Sequence, residues 1–145
     1  MRITYYEPEY FESCMHLLIQ LYNNEPCHCE FTEFKAKAYL NELIEAPRFI
    51  GFLLLNQDNL LIGAALCHER TWWNKDELYI DEFLIHPHYQ SFDYDSKLLK
   101  YMEKHSWERE LGGMTLVTNH LSMAKFYQKN GFSDHEIYFI YKGFG

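Results

Sequence analysis

Two adjacent carboxylic acids, Asp81 and Glu82, stand inside an apolar segment with the pattern of a β-strand, Glu77–Ile85. A carboxylate binds cations and can accept a proton from a reacting group. Successive side chains of a strand point to opposite faces, so both acids face one cleft only if a β-bulge intervenes. The alternative is that both are ordinary carboxylates near the end of a strand.

Two other groups of residues have the chemistry of metal ligands. Cys27-His28-Cys29 offers soft ligands, but a tetrahedral site needs a fourth group from elsewhere, so we interpret this segment as a loop with reduced thiols. His86 and His88 flank Pro87 without a third partner at ligand spacing, which favours surface positions in a turn. We therefore expect no metal site.

The charge balance indicates the kind of partner. The chain has 21 acidic and 13 basic residues and a formal net charge of −8, which repels phosphate backbones and attracts cations. Nucleic acid is thus disfavoured, and a polyamine, a basic amino acid or another cationic amine is favoured. No apolar run reaches the roughly 18 residues that a membrane span needs, and the first residues do not resemble a signal peptide. We expect a cytosolic protein without a membrane partner.

The hydrophobic periodicity predicts one domain over residues 1–145 with the element order β-α-α-β-β-β-α-β-α-β. This order is typical of an α/β fold with a mixed sheet and helices on both faces. Ser122 is expected to cap the last helix and Gly131 to end it. The predicted strands are Ile3–Tyr6, Phe49–Leu55, Leu60–Cys67, Glu77–Ile85, Met114–Thr118 and Ile137–Tyr141. The predicted helices cover Phe11–Tyr22, Ala36–Ile44, Asp93–Glu110 and Ser122–Asn130.

Two segments at fixed separation resemble a known family. Leu78–Gln90 with Ser96-Lys97-Leu98-Leu99 is similar to the fourth strand, phosphate loop and following helix of the GNAT acyl-CoA N-acyltransferases. Phe126-Tyr127-Gln128-Lys129-Asn130-Gly131-Phe132 resembles the F-Y-x-K-x-G-F helix end of the same family. Within the family, Trp72-Trp73 and Tyr79-Ile80-Asp81-Glu82-Phe83 look most like the diamine and thialysine acetyltransferase branch.

The resemblance implies a reaction and roles for residues. The chain is expected to transfer an acetyl group from acetyl-CoA to a primary amine of a small cationic substrate, and to form a homodimer. Asp81 and Glu82 would bind the amine, with Asp81 favoured as the base, directly or through water. Tyr127 would protonate the departing thiolate. Trp72 or Trp73 would line the alkyl-ammonium chain by cation–π contact, or would only provide hydrophobic cover.

The resemblance also assigns positions to the co-substrate acetyl-CoA. Backbone groups of Leu84 and Ile85 would bind the pantetheine arm, and a loop at the start of the following helix would hold the pyrophosphate. The implied contact residues are Leu84, Ile85, Gln90, Ser91, Phe92, Asp93, Tyr94, Asp95, Ser96 and Asn119.

The loop departs from the family pattern Q/R-x-x-G-x-G/A, because Asp93 and Asp95 occupy both glycine positions. Two carboxylates near a pyrophosphate oppose its binding, although aspartate near a helix start can instead cap the helix. His120 also stands where the family has asparagine, with Asn119 one residue earlier. The alternative is therefore a GNAT-fold binding or regulatory module that has lost acetyl-CoA.

Overall fold

The computed structural model describes residues 1–90, 92–118, 121–135 and 138–145. These residues form five strands and four helices in the order β1-α1-α2-β2-β3-β4-α3-β5-α4. The strands are β1 Arg2–Tyr5, β2 Phe49–Leu55, β3 Leu61–Arg70, β4 Glu77–Ile85 and β5 Gly113–Thr115. The helices are α1 Phe11–Tyr22, α2 Glu33–Ile44, α3 Tyr94–Glu108 and α4 Leu121–Lys129.

The strands form one mixed sheet in the spatial order β1-β2-β3-β4-β5. The first four strands pair antiparallel as a meander. The strand β5 pairs parallel to β4, and α3 supplies the crossover connection that a parallel pair requires. The predicted α/β fold with a mixed sheet is confirmed.

Helices cover both faces of the sheet because the central strands are apolar on both sides. On one face, Leu18 of α1 and Leu40 of α2 pack with Leu53 of β2. On the other face, Leu98 and Met102 of α3 pack against the sheet together with residues of α4. We call these the α1/α2 face and the α3/α4 face. Each buried leucine contributes roughly 2 kcal/mol by leaving water.

Local signals fix the helix ends. The Thr32 hydroxyl accepts a hydrogen bond from the Lys35 backbone N–H at 3.1 Å and caps α2. Gly131 has φ of +92° just after α4, a conformation that favours glycine and ends the helix as predicted. The expected cap at Ser122 is wrong, because α4 already begins at Leu121 and Ser122 lies in its first turn.

The predicted strands after α3 are longer than the observed ones. The strand expected over Met114–Thr118 is only Gly113–Thr115. The final strand expected over Ile137–Tyr141 is wrong for its described part, residues 138–141, which are irregular and exposed; Ile137 lies outside the described residues. A strand needs a partner ladder, and the three residues of β5 provide only a short edge. Within the described ranges, no helix has the length and apolar content needed to cross a membrane.

Candidate active site

The acidic pair lies at a β-bulge of β4. Leu66 of β3 is opposite Glu82, whereas the next residue, Cys67, is opposite Ile80. Asp81 is therefore the extra residue on β4 and has no opposite residue on β3. A β-bulge was the condition for both acids to face one cleft, and this bulge is present.

The bulge changes which face the side chains of β4 occupy. Ile80 and Phe83, three residues apart, both pack on the α3/α4 face, whereas Leu84 packs on the α1/α2 face. Strict alternation would place residues three apart on opposite faces. Asp81 and Glu82 consequently lie together on the α1/α2 face.

Glu82 is enclosed by two tyrosines of the covering helices. Its Oε1 atom accepts hydrogen bonds from the hydroxyl of Tyr22 at 2.7 Å and from that of Tyr39, and Tyr22 also lies 3.0 Å from Oε2. The residue is 7% exposed. Burial raises the pKa of Glu82 above its ordinary value, with a further rise from Asp81, although both hydroxyls oppose the shift. Burial raises the pKa of both tyrosines as well, so they stay protonated donors.

Asp81 contacts a histidine of the neighbouring strand. Its Oδ2 atom lies 2.7 Å from Nδ1 of His68, and the two side chains are 20% and 27% exposed. The His68 ring also lies 5.3 Å from the Tyr79 ring, centre to centre. Nε2 of His68 makes no hydrogen bond with the described residues. It is also not one of the buried side-chain atoms that lack a hydrogen-bond partner. This nitrogen therefore faces solvent.

Tyr127 lies on the opposite face of the sheet. It is 7% exposed, and its ring contacts those of Phe83 and Phe132 at 6.1 and 5.4 Å. The turn at Gly131 fixes it, because the N–H of Phe132 bonds back to the carbonyl of Tyr127 at 3.0 Å. Burial raises the pKa of the Tyr127 hydroxyl, and the negative charge of Glu82 raises it further. The hydroxyl thus stays protonated and lies within electrostatic range of Glu82.

An open strand edge lies between these two groups. β5 pairs with β4 only at Glu77–Tyr79, so the β5-facing edge of β4 has no strand partner beyond Tyr79 among the described residues. The N–H of His86 donates a hydrogen bond to the carbonyl of Ile62 in β3 at 2.8 Å. Because backbone groups of an antiparallel strand point alternately to its two sides, those of Leu84 point toward β3 and those of Ile85 point toward the open edge. The side-chain amide of Gln90 donates to the carbonyl of Ile85 at 3.2 Å.

The predicted phosphate loop has a glycine-like backbone without the glycines. Asp93 has φ of +59°, in the left-handed region that glycine adopts at least cost. Its carboxylate makes no cap hydrogen bond, so the expected capping role is wrong for this residue. Asp95 instead accepts a hydrogen bond from the N–H of Ser96 at 2.8 Å.

Aromatic rings surround the same loop. Phe92 is 58% exposed and stacks on Tyr94 with ring centres 5.8 Å apart. The ammonium of Lys97 lies 5.5 Å from the centre of the Tyr94 ring, within cation–π range. A cavity of about 270 Å³ lies beside the loop, lined by Tyr89, Tyr94 and residues of the β2–β3 turn. Ser91 and Asn119, two of the predicted acetyl-CoA contacts, lie outside the described residues, as does His120.

The two tryptophans lie in the exposed β3–β4 connection. Trp72 is 51% exposed and Trp73 is 84% exposed. The guanidinium of Arg70 lies 5.0 Å from the ring centres of Trp72 and Tyr79. The Trp72 ring, one of the two that could contact a substrate cation, therefore already contacts a cation of the protein.

The remaining metal-ligand types are dispersed. No group of three or more His, Cys, Asp or Glu side chains suited to a metal ion occurs in the described part of the chain. The four cysteines are not disulfide-bonded, and Cys27 and Cys29 are exposed.

Three residues of the site were missed by sequence reasoning. Tyr22 and Tyr39 follow the helical hydrophobic spacing, and that pattern is typical of core positions. His68 lies one residue beyond the predicted strand Leu60–Cys67, which the structure extends to Arg70, and it belongs to no motif. The only signal was the strand pairing itself, since β3 must pair with β4 and so brings a histidine near the acidic pair.

Comparison with known proteins identifies a family. The sequence profile described as the acetyltransferase (GNAT) family matches residues 11–132. No curated protein sequence gives a significant match.

Many solved structures share the fold. A GNAT family acetyltransferase of Staphylococcus aureus is 20% identical, with 98% of this chain and 99% of that chain covered and a TM-score of 0.73. An aminoglycoside N-acetyltransferase in complex with CoA is 17% identical, with 98% and 93% covered and a TM-score of 0.76. A transcriptional regulator of Bacillus halodurans is 14% identical, with 97% and 99% covered and a TM-score of 0.78. At these identities, the likeness shows the fold alone.

Proposed function

The chain belongs to the acetyltransferase (GNAT) family, and from this premise we propose that it transfers an acetyl group from acetyl-CoA to a primary amine of a small cationic substrate. The observation that carries the proposal is the open edge of β4. Asp81 and Glu82 lie on one side of this edge, and Tyr127 lies on the other. A thioester held at the edge meets an amine from the first side and releases its thiolate toward the second.

The open edge suits the pantetheine arm of acetyl-CoA. This arm contains two amides, which can bond to unpaired strand groups as a neighbouring strand would. The register favours Ile85, which faces the edge, over Leu84, which faces β3. Bound acetyl-CoA would compete with the side chain of Gln90 for the carbonyl of Ile85.

The acidic pair and the net charge of −8 support a cationic acceptor. A field of that sign raises the local concentration of ammonium ions near the carboxylates. The acceptor class is therefore a diamine, a polyamine or a basic amino acid, as the diamine and thialysine branch would use. Trp72 completes the wall of this site only if Arg70 moves from its ring.

Tyr127 is suited to protonate the leaving thiolate. Its pKa is raised by burial and by nearby negative charge, so it keeps its proton until the thiolate forms. Its hydroxyl makes no hydrogen bond with the described residues, which leaves the proton available for the sulfur atom.

The loop at the start of α3 suits the pyrophosphate in shape but opposes it in charge. The left-handed backbone at Asp93 matches the conformation that a glycine would adopt there. The Asp93 carboxylate is exposed and adds a negative charge beside the expected pyrophosphate. We expect weak binding of acetyl-CoA, partly compensated by Lys97.

A homodimer is supported by the apolar end of the chain. Five large side chains in this segment are between 79% and 90% exposed: Tyr138, Phe139, Ile140, Tyr141 and Phe144. Among the strands of the described residues, β5 lies at the edge of the sheet and is short. A second copy that received this segment would cover both features. The cytosolic location stays a prediction.

Titration calorimetry at low ionic strength tests the proposal. Acetyl-CoA and CoA should bind with micromolar to submillimolar Kd, and thiol release should follow when putrescine, spermidine or lysine is added. The absence of any binding heat at millimolar acetyl-CoA would contradict the proposed transferase function. Binding without acetyl transfer to any of these amines would retire the acceptor class.

A second candidate function is a binding or regulatory module with the same fold. The observation that favours it is the pair of carboxylates at the phosphate loop, Asp93 and Asp95. Under this alternative, spermidine binds in the absence of acetyl-CoA and CoA does not bind at all. The same calorimetric experiment separates the two functions.

A further inference from the structure

Glu82 is poorly placed to take a proton from an incoming amine. Both of its oxygen atoms already accept hydrogen bonds from Tyr22 or Tyr39, and only 7% of the residue is exposed. An amine that reached this carboxylate would have to displace one of two buried hydroxyls. Glu82 is better suited to hold the two helices against the bulge.

The pair formed by His68 and Asp81 offers what Glu82 lacks, a proton-accepting atom that is exposed to solvent and held in a fixed orientation. The Asp81 carboxylate lies 2.7 Å from Nδ1 of His68, so it stabilises the tautomer with the proton on Nδ1. The lone pair then lies on Nε2, the nitrogen that faces solvent. This is the arrangement by which a carboxylate orients an imidazole base in other enzymes, and imidazole is the side-chain base best matched to neutral pH.

The surroundings of His68 are compatible with a proton-accepting role. From β4, Asp81 and the Tyr79 ring contact it. From β3, Arg70 lies across Tyr79 and is itself 3.4 Å from Glu77. From α2, Tyr39 lies close enough to Asp81 for that charge to raise its pKa.

We propose that His68 is the general base for the acceptor amine and that Asp81 is its positioning residue. This inference rests on the proposed acetyl transfer. The acceptor ammonium gives one proton to Nε2, and the lone pair thus released forms the C–N bond with the acetyl carbon. The tetrahedral intermediate then breaks its C–S bond, the thiolate takes a proton from Tyr127, and the second surplus proton of the nitrogen restores Tyr127. His68 finally returns its proton to solvent.

The tautomer of His68 is the first test, and it requires no substrate. Nitrogen-15 NMR of the full chain should show His68 as the Nδ1–H tautomer in its neutral form, assigned by the signal lost in His68→Gln. Asp81→Asn should shift the population toward the Nε2–H form. A wild-type His68 that carries its neutral-form proton on Nε2 would overturn the proposal, because the solvent-facing nitrogen could not accept another.

Kinetics provide the second test, with the amine among putrescine, spermidine and lysine that the wild type acetylates fastest. His68→Gln should lower kcat/KM by about 10² to 10³-fold with the Kd of CoA unchanged within twofold, and added imidazole should restore part of the activity of His68→Ala. Asp81→Asn should lower kcat/KM by at least about 10-fold and shift the acidic limb of the pH profile. His16→Gln, an exposed histidine on α1, is the matched control and should keep wild-type activity.

The role of His68 and the acetyl transfer itself can be contradicted separately. Full activity in His68→Gln, with the wild type active, would overturn the base and leave the acetyltransferase intact. Absence of acetyl transfer by the wild type with all three amines would overturn the proposed acceptor class and the base together.

Discussion

Replacing Asp93 by glycine should tighten the binding of acetyl-CoA. Asp93 already has the left-handed backbone, with φ of +59°, so glycine changes the charge and the side chain without changing the fold of the loop. The carboxylate has no capping role that would be lost. The variant therefore isolates the electrostatic cost of the acid.

The size of the effect follows from the expected separation of the charges. A carboxylate on the order of 5 Å from a phosphate charge costs about 3 kcal/mol at an effective dielectric near 20, and about 1 kcal/mol if water screens it fully. Because Asp93 is exposed, we expect the lower half of this range, about 5- to 30-fold in Kd. The unfolding free energy should change by less than about 1 kcal/mol, because relief of the left-handed strain offsets the greater flexibility of glycine.

Titration calorimetry at two ionic strengths is the assay. Asp93→Asn is the matched variant, since asparagine tolerates the same backbone and removes only the charge. Glu42→Gln, on exposed surface of α2, changes the net charge equally on the other face of the sheet and should leave the Kd unchanged. The gain should shrink at high salt. Equal Kd values for wild type, Asp93→Gly and Asp93→Asn would refute the reasoning, because the carboxylate would then point away from the pyrophosphate.

Four further outcomes are expected. Tyr127→Phe should lower kcat about 10²-fold without a change in melting temperature, which steady-state kinetics and calorimetric scans measure. Glu69→Gln should cost about 1 to 2 kcal/mol in urea unfolding because it weakens the paired bonds from Arg109 at 2.7 and 3.1 Å. Those bonds lower the pKa of Glu69, so the wild type should lose this stability as pH falls through the lowered pKa, and the variant should not. Glu82 has the opposite sign: its pKa is raised, so wild-type stability should fall as pH rises from the ordinary glutamate value through the raised one, and Glu82→Gln should remove that slope. Deleting residues 138–145 should convert a dimer to a monomer in sedimentation velocity. The same number of chains per particle before and after the deletion would argue against this interface.

The sequence predicted the elements whose periodicity is strong. The bounds of β4 were predicted to the residue, and α1 and α2 followed their apolar spacing. The predictions failed after α3, where strand length depends on pairing. Apolar alternation over 137–141 shows that a segment can pair, but it does not show that a partner edge exists.

The candidate site shows the same division. Asp81, Glu82 and Tyr127 were predicted from motifs, but the position of both acids on one face depends on a bulge that no residue type indicates. The Asp93 backbone was also hidden, because aspartate is common both as a cap and in left-handed turns. Partners such as His68 come from strand register, which arises from the whole sheet.

The extra residue in β4 has a consequence for how this protein can vary. It changes the alternation of the strand, because even-numbered residues before Asp81 and odd-numbered residues after Glu82 point to the α3/α4 face. Closing the bulge with Asp81 kept in the ladder would turn Ile80 toward the α1/α2 helices, or Phe83 away from α4, and would set the two acids on opposite faces, whereas deleting Asp81 would restore regular alternation with both hydrophobic side chains in place. The pairing of the two acids on one face thus depends on the extra residue, whereas the core packing of β4 does not, so a chain without Asp81 should keep its fold and lose the contact with His68.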